Sequence, residues 1–137
     1  MFLLDTNVVS ELRRTRPHGA VVAWLNSAPK GSLRICAVTL GEIQRGVEIT
    51  RERDPAKARE LEIWADKVEQ TFAVVPADSA VFRRHAQLMR RRPEPAYEDA
   101  LIAATASVYD FTLVTRDVAD FEGLGVRVFD PFAYRGD

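Results

Sequence analysis

The chain is short of cysteine and of long apolar runs. Its only cysteine among 137 residues is Cys36, so neither an internal disulfide nor a cysteine-based zinc cluster can form, which agrees with a reducing compartment. We interpret Cys36 as a buried strand residue. No apolar run has the length to cross a bilayer, and MFLLDTN lacks the basic start and apolar length of a signal peptide. We therefore expect a cytoplasmic protein without a membrane segment.

A strong field of either sign is also missing, because the formal net charge is -1. Of 19 basic residues, 16 are arginine, whose planar guanidinium suits phosphate, although genomic base composition explains the same bias and is our default interpretation. No glycine-rich phosphate loop, GxSxG motif or dinucleotide fingerprint occurs, so we expect no nucleotide cofactor. His18 and His85 have no partner spacing that indicates a metal pair or a triad, and we assign them no role.

What the chain does contain is an alternation of strand-like and helical patterns. Helical periodicity separates the strands, with helices expected from near Asp54 and Pro55, from Ser79 to about Arg91, and from Tyr97 to about Tyr109. This alternation predicts a parallel α/β sheet, and the length fits one domain over residues 1–137. The strand-like runs are Met1 to Leu4, Leu33 to Val38, Phe72 to Val75, Phe111 to Thr115 and Val126 to Phe129.

Acidic residues follow the predicted strands, at the sheet edge where open parallel sheets bind ligands. Asp5 follows the first strand, Glu42 lies shortly after the second, and Asp117 follows the fourth. Asp99 lies in the first turn of an alanine-rich helix that would begin at the same edge. Four carboxylates are thus expected to converge.

Each acid also has a structural explanation, because acids cap helix amino-termini and favour the positive end of the helix dipole. Asp5 could cap a helix starting near Val8, and Asp117 a turn running through Phe121. Thr39 and Glu42 have the spacing of a Thr-x-x-Glu capping box. For Glu42 alone, a capping role and a role in a functional site are therefore equally supported.

Asp99 fits the capping explanation least well. It shares a helical face with Ile102, Ala103 and Ala106, which should pack inward. Its neighbour Glu98 lies about 100° round the helix, so we prefer Asp99 as the inward acid.

Together the four acids indicate a metal site. Crowded carboxylates stay ionised only if a cation lies among them, and oxygen ligands without cysteine or histidine select Mg²⁺ or Mn²⁺. Such ions activate water and clamp the oxygens of a phosphodiester, which predicts phosphoryl transfer to water. Arg13, Arg14 and Arg16, just beyond the first helix, are candidates to contact a phosphodiester backbone. The arginines at 83, 84 and 90–92 are more simply a solvated helix face, with a nucleic-acid contact as the alternative.

Four motifs carry a family resemblance: MFLLDTNVVSEL, TLGEIQRGV, YEDALIAATA and LVTRDVADFEGLGVRVFDPF. The chain resembles the PIN-domain ribonucleases, specifically the toxin subunits of bacterial virulence-associated (VapBC-type) toxin–antitoxin pairs. The resemblance implies a three-layer α/β/α fold around a central parallel sheet of about five short strands. It also implies an RNA-cleaving pocket that binds Mg²⁺ or Mn²⁺, a homodimer, and inhibition by a small antitoxin encoded beside the toxin.

The resemblance assigns roles to individual residues. The family's four acids fall on Asp5, Glu42, Asp99 and Asp117, with Asp5 and Asp99 holding the principal metal ion. Some relatives carry their fourth acid where this chain has Asp120, so either Asp117 or Asp120 fills that role, and we favour Asp117. The supporting polar residues of the pocket match Asn7 and Thr115. Transfer RNA is a reasonable guess for the substrate.

Three alternatives remain at this stage. Haloacid-dehalogenase-like phosphatases follow a DxDx[TV] pattern, but Asn7 occupies the position of the second aspartate. A phospho-accepting receiver domain would need a late lysine, yet no lysine follows Lys67. The alternative without catalysis is an RNA- or protein-binding module in which the acids only cap helices.

Overall fold

A computed structural model describes residues 1–136 of the chain. Its described residues form five strands and six α-helices that alternate along the sequence. The strands are β1 (Phe2–Leu4), β2 (Leu33–Cys36), β3 (Ala73–Val75), β4 (Thr112–Val114) and β5 (Val128–Phe129). The helices are α1 (Thr6–Glu11), α2 (Gly19–Ser27), α3 (Ala37–Arg51), α4 (Pro55–Thr71), α5 (Ser79–Met89) and α6 (Tyr97–Val108), with 3₁₀ turns at Glu94–Ala96, Val118–Phe121 and Pro131–Ala133.

The strands form one parallel sheet in the order β3-β2-β1-β4-β5. The chain adds β2 and β3 on one side of β1 and then β4 and β5 on the other. The strand order therefore reverses between β1 and β4, and a crevice opens at their carboxyl ends. The predicted parallel sheet of five short strands is confirmed, although each strand is shorter than its apolar run. Val38 in particular belongs to α3, because that helix already begins at Ala37.

Helices cover both faces of the sheet, as alternating side chains require. Leu4 and Val114 point to the face covered by α1 to α4, where they pack with Trp24 and Ile43. Leu3 and Leu113 point to the opposite face and pack with α6. The fold is thus the three-layer α/β/α arrangement that the sequence predicts.

The helix boundaries follow from local sequence. Asp54 caps α4 by accepting the Lys57 amide at 3.1 Å, and Pro55 occupies the first helical position, where its missing N–H costs nothing. Asp78 caps α5 by accepting the Val81 amide at 3.0 Å. All three predicted helix starts are confirmed.

Helix α6 is enclosed on nearly every side, since all residues from 100 to 106 are buried. Asp99 therefore lies above an apolar face, as predicted. Asp99 is half-buried and Glu98 is exposed, although Leu101 and Thr105 on the helical face of Glu98 are buried as well. Small alanine side chains let this helix approach its neighbours closely. Among residues 1–136, no helix combines the length and apolar character needed to cross a bilayer.

Candidate active site

Asp5 lies at the carboxyl end of the central strand β1 and is only 6% exposed. One carboxylate oxygen accepts the Thr6 amide at 2.8 Å and caps α1, so the predicted cap is confirmed, with the helix beginning at Thr6 rather than near Val8. The other oxygen accepts the Thr115 hydroxyl at 2.8 Å. Burial raises the pKa of Asp5, although both hydrogen bonds act in the opposite direction.

Thr115 reaches Asp5 because Leu4 and Val114 are paired in the sheet, which places the residues after them side by side. The Thr115 hydroxyl donates to Asp5 and accepts the Asp117 amide at 3.0 Å. The Asn7 side-chain amide lies 3.1 Å from the Thr115 hydroxyl, 3.0 Å from Asp117 Oδ2 and 3.3 Å from Asp5 Oδ2. Asn7 and Thr115 thus tie together the acids that follow β1 and β4.

Glu42 enters the same crevice from α3, and its predicted capping box does not form. Because α3 begins at Ala37, Thr39 lies inside the first turn, and its hydroxyl contacts Cys36 Sγ at 3.6 Å. Glu42 instead accepts the Thr6 hydroxyl at 2.9 Å. Burial, followed by the charges of Glu98 and Asp5, raises its pKa to about 7, while the Thr6 hydrogen bond lowers it.

Glu98 is the acid that the sequence analysis set aside in favour of Asp99, and its contact with Glu42 was not predicted. It is exposed on α6, yet its charge and its side-chain contact with Glu42 both raise the pKa of Glu42. Its carboxylate also lies 3.9 Å from the Arg45 guanidinium on α3. No spacing within the sequence relates 42 to 98, because only the packing of α3 against α6 brings them together.

Asp99 faces the crevice from the first turn of α6, as predicted, and is half-buried. Burial is the main cause that raises its pKa to about 6. The charges of Asp5, Asp120, Asp117 and Glu98 add to the shift. Its carboxylate therefore lies in a field of like charge, which either a proton or a bound cation would relieve.

Asp117 and Asp120 occupy different positions relative to this crevice. Asp117 precedes the 3₁₀ turn Val118–Phe121, but its side chain makes no capping hydrogen bond there, because it accepts the Asn7 amide instead. The capping alternative considered for Asp117 is therefore not realised. Asp120 lies in the turn, and its charge raises the pKa of Asp5 and Asp99.

The crevice is a pocket of about 280 Å³ at the point where the strand order reverses. Four acids from four different segments share it, whereas Asp120 is not among its lining residues. The pocket is lined by Asp5, Thr6, Asn7, Ser10, Glu42, Asp99 and Asp117. The acids therefore meet as the sequence predicts, with hydroxyl and amide groups between them.

Comparison with known proteins places this arrangement in a family. The PIN domain model matches residues 2–125. The chain belongs to the PIN-domain family. It is 34% identical over 142 residues to Toxin FitB of Neisseria gonorrhoeae, covering 96% of this chain and 99% of that protein. It is 32% identical to VapC ribonuclease Y4jK of Sinorhizobium fredii, covering 96% and 98%.

Solved structures share the fold of this PIN domain. FitAB bound to an IR36 DNA fragment superposes with a TM-score of 0.82 at 32% identity, covering 98% of each chain. VapBC2 of Rickettsia felis, solved with promoter DNA, gives a TM-score of 0.78 at 18% identity and shows the shared fold alone. PIN-domain ribonucleases are metal-dependent in general.

The donor set of this PIN domain fits a hard, hydrated cation. Within residues 1–136, no three Asp, Glu, His or Cys side chains are grouped closely enough to hold one ion together. Mg²⁺ does not need such a group, because it keeps several waters and takes only one or two carboxylates directly. Burial is the main cause that raises the pKa values of Asp5, Glu42 and Asp99, and repulsion among the acids adds to it, so a cation in the pocket would favour their ionised forms.

Two of the three arginines expected near the pocket line a neighbouring groove of about 560 Å³ between α1, α3 and α4. The Arg13 guanidinium lies 5.9 Å from the Trp64 ring centroid, and Arg14 lies 3.4 Å from Glu11. Arg16 is exposed and is not among the groove's lining residues. The groove shares Thr6, Asn7, Ser10 and Glu42 with the acidic pocket, so it opens directly beside the acids.

The remaining predicted residues have structural positions. His18 caps α2 by accepting the Ala20 amide at 3.2 Å. His85 is buried, and its Nε2 lies 3.0 Å from the Tyr97 carbonyl oxygen. Cys36 is buried at the end of β2, as predicted, and burial raises the pKa of its thiol.

Proposed function

We propose that residues 1–137 form a single nuclease domain that cleaves RNA internally with the help of Mg²⁺, or Mn²⁺ in its place, and acts as the toxin of a toxin–antitoxin pair. The observation that carries this proposal is the pocket in which Asp5, Glu42, Asp99 and Asp117 converge. Relatives named as ribonucleases and toxins cover 96% of the chain, which supports the same chemistry here.

Asp5 and Asp99 are the proposed direct ligands of the ion. Asp5 is held rigidly by the Thr6 amide and the Thr115 hydroxyl, while Asp99 approaches from the opposite side on α6. Glu42 and Asp117 lie at the rim and act through water or on a second ion. When bound, the ion activates water for attack on phosphorus and neutralises charge on the phosphoryl oxygens.

The polar residues around the acids keep this geometry in place. Asn7 directs its side-chain amide at Asp5 and Asp117, and its own carbonyl oxygen accepts the Arg116 amide at 3.3 Å. Thr6 holds Glu42 in a fixed orientation. These residues therefore position carboxylates before substrate arrives, which reduces the reorganisation needed during reaction.

Partners follow from the relatives. A solved toxin–antitoxin complex from Klebsiella pneumoniae, with a TM-score of 0.72 at 25% identity, supports a small antitoxin as the inhibitor of this protein. We also propose a homodimer that acts in the cytoplasm on structured RNA, with transfer RNA as the first substrate to test. Arg13 and Arg14, beside the pocket, are proposed to contact the RNA backbone, with Arg16 further along the same loop.

The competing phosphatase hypothesis is weakened by Asn7. A haloacid-dehalogenase-like enzyme needs an acid at this position, whereas the Asn7 amide donates to two carboxylates and cannot exchange a proton with substrate. The binding-module hypothesis requires the acids to serve as caps, but the side chains of Glu42 and Asp117 make no capping hydrogen bond.

The test is Mg²⁺-dependent cleavage of RNA by the purified protein and by the Asp5→Asn and Asp99→Asn variants. We expect both variants to lose cleavage while remaining folded. Asp66→Asn, which changes an exposed acid on α4, is the matched control and should cleave normally. Cleavage that survives both pocket substitutions would refute the metal-pocket assignment.

A further inference from the structure

A cluster of arginines lies in the helix layer formed by α5 and α6, whereas the groove that holds Arg13 and Arg14 lies between α1, α3 and α4. It belongs to α5 and the turn that follows, and residues 79–92 contain no acid and no lysine. We call this cluster the arginine patch: Arg83, Arg84, Arg90, Arg91 and Arg92. Among the ion pairs of residues 1–136, none includes a member of the patch.

The backbone presents Arg91 in a conformation that arginine rarely adopts. The Arg92 amide donates to the Met89 carbonyl at 2.9 Å, and Arg90 and Arg91 form the centre of a type II turn. Arg91 has φ 73°, where a type II turn normally takes glycine. A side chain kept at a strained position points to a use outside the fold.

Two members of the patch contact the loop that follows the acids of β4. Arg92 Nη2 donates to the Gly123 carbonyl at 3.4 Å, and a Cβ added at Gly125 would lie 3.6 Å from Arg84 Nη2. The Arg84 Nε is buried without a hydrogen-bond partner. Arg84 Nη1 also donates to the Gln87 side-chain oxygen at 3.1 Å. These two arginines therefore lie against one short loop, whereas Arg83, Arg90 and Arg91 are exposed.

This loop adjoins the pocket. Gly123 follows Asp120 by three residues, which limits their Cα separation to about 11 Å. The charge of Asp120 raises the pKa of both Asp5 and Asp99. Arg92 is also connected to Asp99 through the short 3₁₀ turn Glu94–Ala96. The patch thus lies near the acids in the helix layer of α5 and α6, whereas the Arg13 groove lies between α1, α3 and α4.

We propose that the arginine patch binds the phosphate backbone of a single RNA strand on its way through the active site, an inference that rests on the proposed ribonuclease function. The acids repel a polyanion, so an RNA strand that reaches them needs positive charge nearby. Arg13 and Arg14 supply it in one helix layer and the patch in the other. The guanidinium fork matches phosphate oxygens, and such contacts position a strand without reading its sequence.

The experiment measures binding of a fluorescent single-stranded RNA of about 20 nucleotides. This RNA is longer than the stretch that a single nucleic-acid-binding domain usually contacts, so it can reach both groups of arginines. All proteins carry Asp5→Asn so that the RNA stays intact. Arg90→Gln with Arg91→Gln changes two exposed side chains of the patch. We expect affinity to fall about 5-fold per lost phosphate contact at 0.1 M salt, and the slope of log K against log salt to fall by about 0.7 per contact.

The matched control is Arg53→Gln with Arg59→Gln, which removes the same charge from two exposed positions, one just before α4 and one on it. We expect its RNA affinity to fall by less than about twofold. Arg91→Gly separates binding from folding. Glycine relieves the strained turn, so the Tm should rise by about 4 °C while RNA affinity falls. A purely structural role predicts the rise in Tm with unchanged affinity.

The two proposals fail in different ways. If the wild-type protein, which retains Asp5, does not cleave RNA but the patch variants lose binding, the ribonuclease function is refuted and the RNA contact stands. If the wild-type protein cleaves RNA and the patch variants bind it as well as the control variant does, the patch inference is refuted. Intact RNA binding together with loss of a co-expressed antitoxin would also refute it, in favour of a protein partner.

Discussion

Replacing Asp99 with asparagine is expected to stabilise the metal-free protein near neutral pH while abolishing cleavage. Asp99 lies among other acids, and its pKa is raised from 3.8 to about 6, chiefly by burial. Asparagine has nearly the same shape and no charge. It therefore removes the electrostatic cost and also removes the proposed metal ligand.

The magnitude follows from the pKa shift. A displacement of about two pKa units corresponds to about 3 kcal/mol, at 1.36 kcal/mol per unit. Because Asp99 is only half-buried, solvent screens the interaction, and we expect about 1.5 kcal/mol. For a domain of this size that free energy corresponds to a Tm increase of about 5 °C.

The pH dependence has a defined sign. The folded protein binds a proton at Asp99 more tightly than the unfolded chain does, so between pH 3.8 and about 6 the folded state carries more protons. Its free energy of unfolding therefore falls as pH rises through this window. Glu42, with its pKa raised from 4.5 to about 7, extends the fall toward neutral pH.

The assay is thermal unfolding of wild type, Asp99→Asn and Asp66→Asn in a chelating buffer from about pH 4 to about pH 7.5. The increase in Tm of Asp99→Asn over wild type should be absent at the acid end of this pH range and complete at the neutral end. Added Mg²⁺ should stabilise wild type more than Asp99→Asn and so reduce the difference in Tm between the two proteins. A variant that is less stable at every pH, or an advantage independent of pH, would refute the reasoning.

Two further substitutions test how the acids are held. Thr115→Val removes the hydroxyl that bonds Asp5 and the Asp117 amide, so we expect the free energy of unfolding in urea to fall by about 1–3 kcal/mol and kcat/KM to fall as well. Thr115→Ser keeps both hydrogen bonds and is the control, and equal stability of the two variants would contradict this prediction. Thr6→Val removes the hydroxyl that holds the Glu42 carboxylate and lowers its pKa. The Glu42 pKa, measured by carbon NMR of its carboxyl in metal-free buffer, should then rise above that of wild type and of Thr6→Ser, and an identical titration in all three would show that the hydrogen bond has no such effect.

Local patterns in the sequence were sufficient to find the elements and most of the site. Apolar runs located all five strands, and Asp54 with Pro55 marked the start of α4, because these signals act within a few residues. Asp5, Glu42, Asp99 and Asp117 were found because acids at strand ends in an open α/β sheet share one edge. Their roles as metal ligands remain a prediction.

The capping alternatives for Glu42 and Asp117 failed where two structures fit the same local sequence. Thr39 and Glu42 match a capping box, but α3 begins two residues before Thr39, so the bond cannot form. Asp117 lies before a turn, yet its carboxylate accepts a hydrogen bond from the Asn7 side-chain amide of α1 and not from the turn. In both cases a partner distant in sequence competes with the nearby backbone amide, and spacing alone cannot rank the two.

The sequence by itself determined the number and kind of elements, the capping role of Asp5 and the acidity of the sheet edge, because each depends on neighbours along the chain. Only the tertiary structure decided which groups touch. The pairing of Leu4 with Val114 brings Thr115 to Asp5, the packing of α3 on α6 brings Glu98 to Glu42, and the loop after Asp120 receives the arginine patch. Such contacts join residues up to 110 positions apart, and only the packing of sheet and helices fixes their geometry.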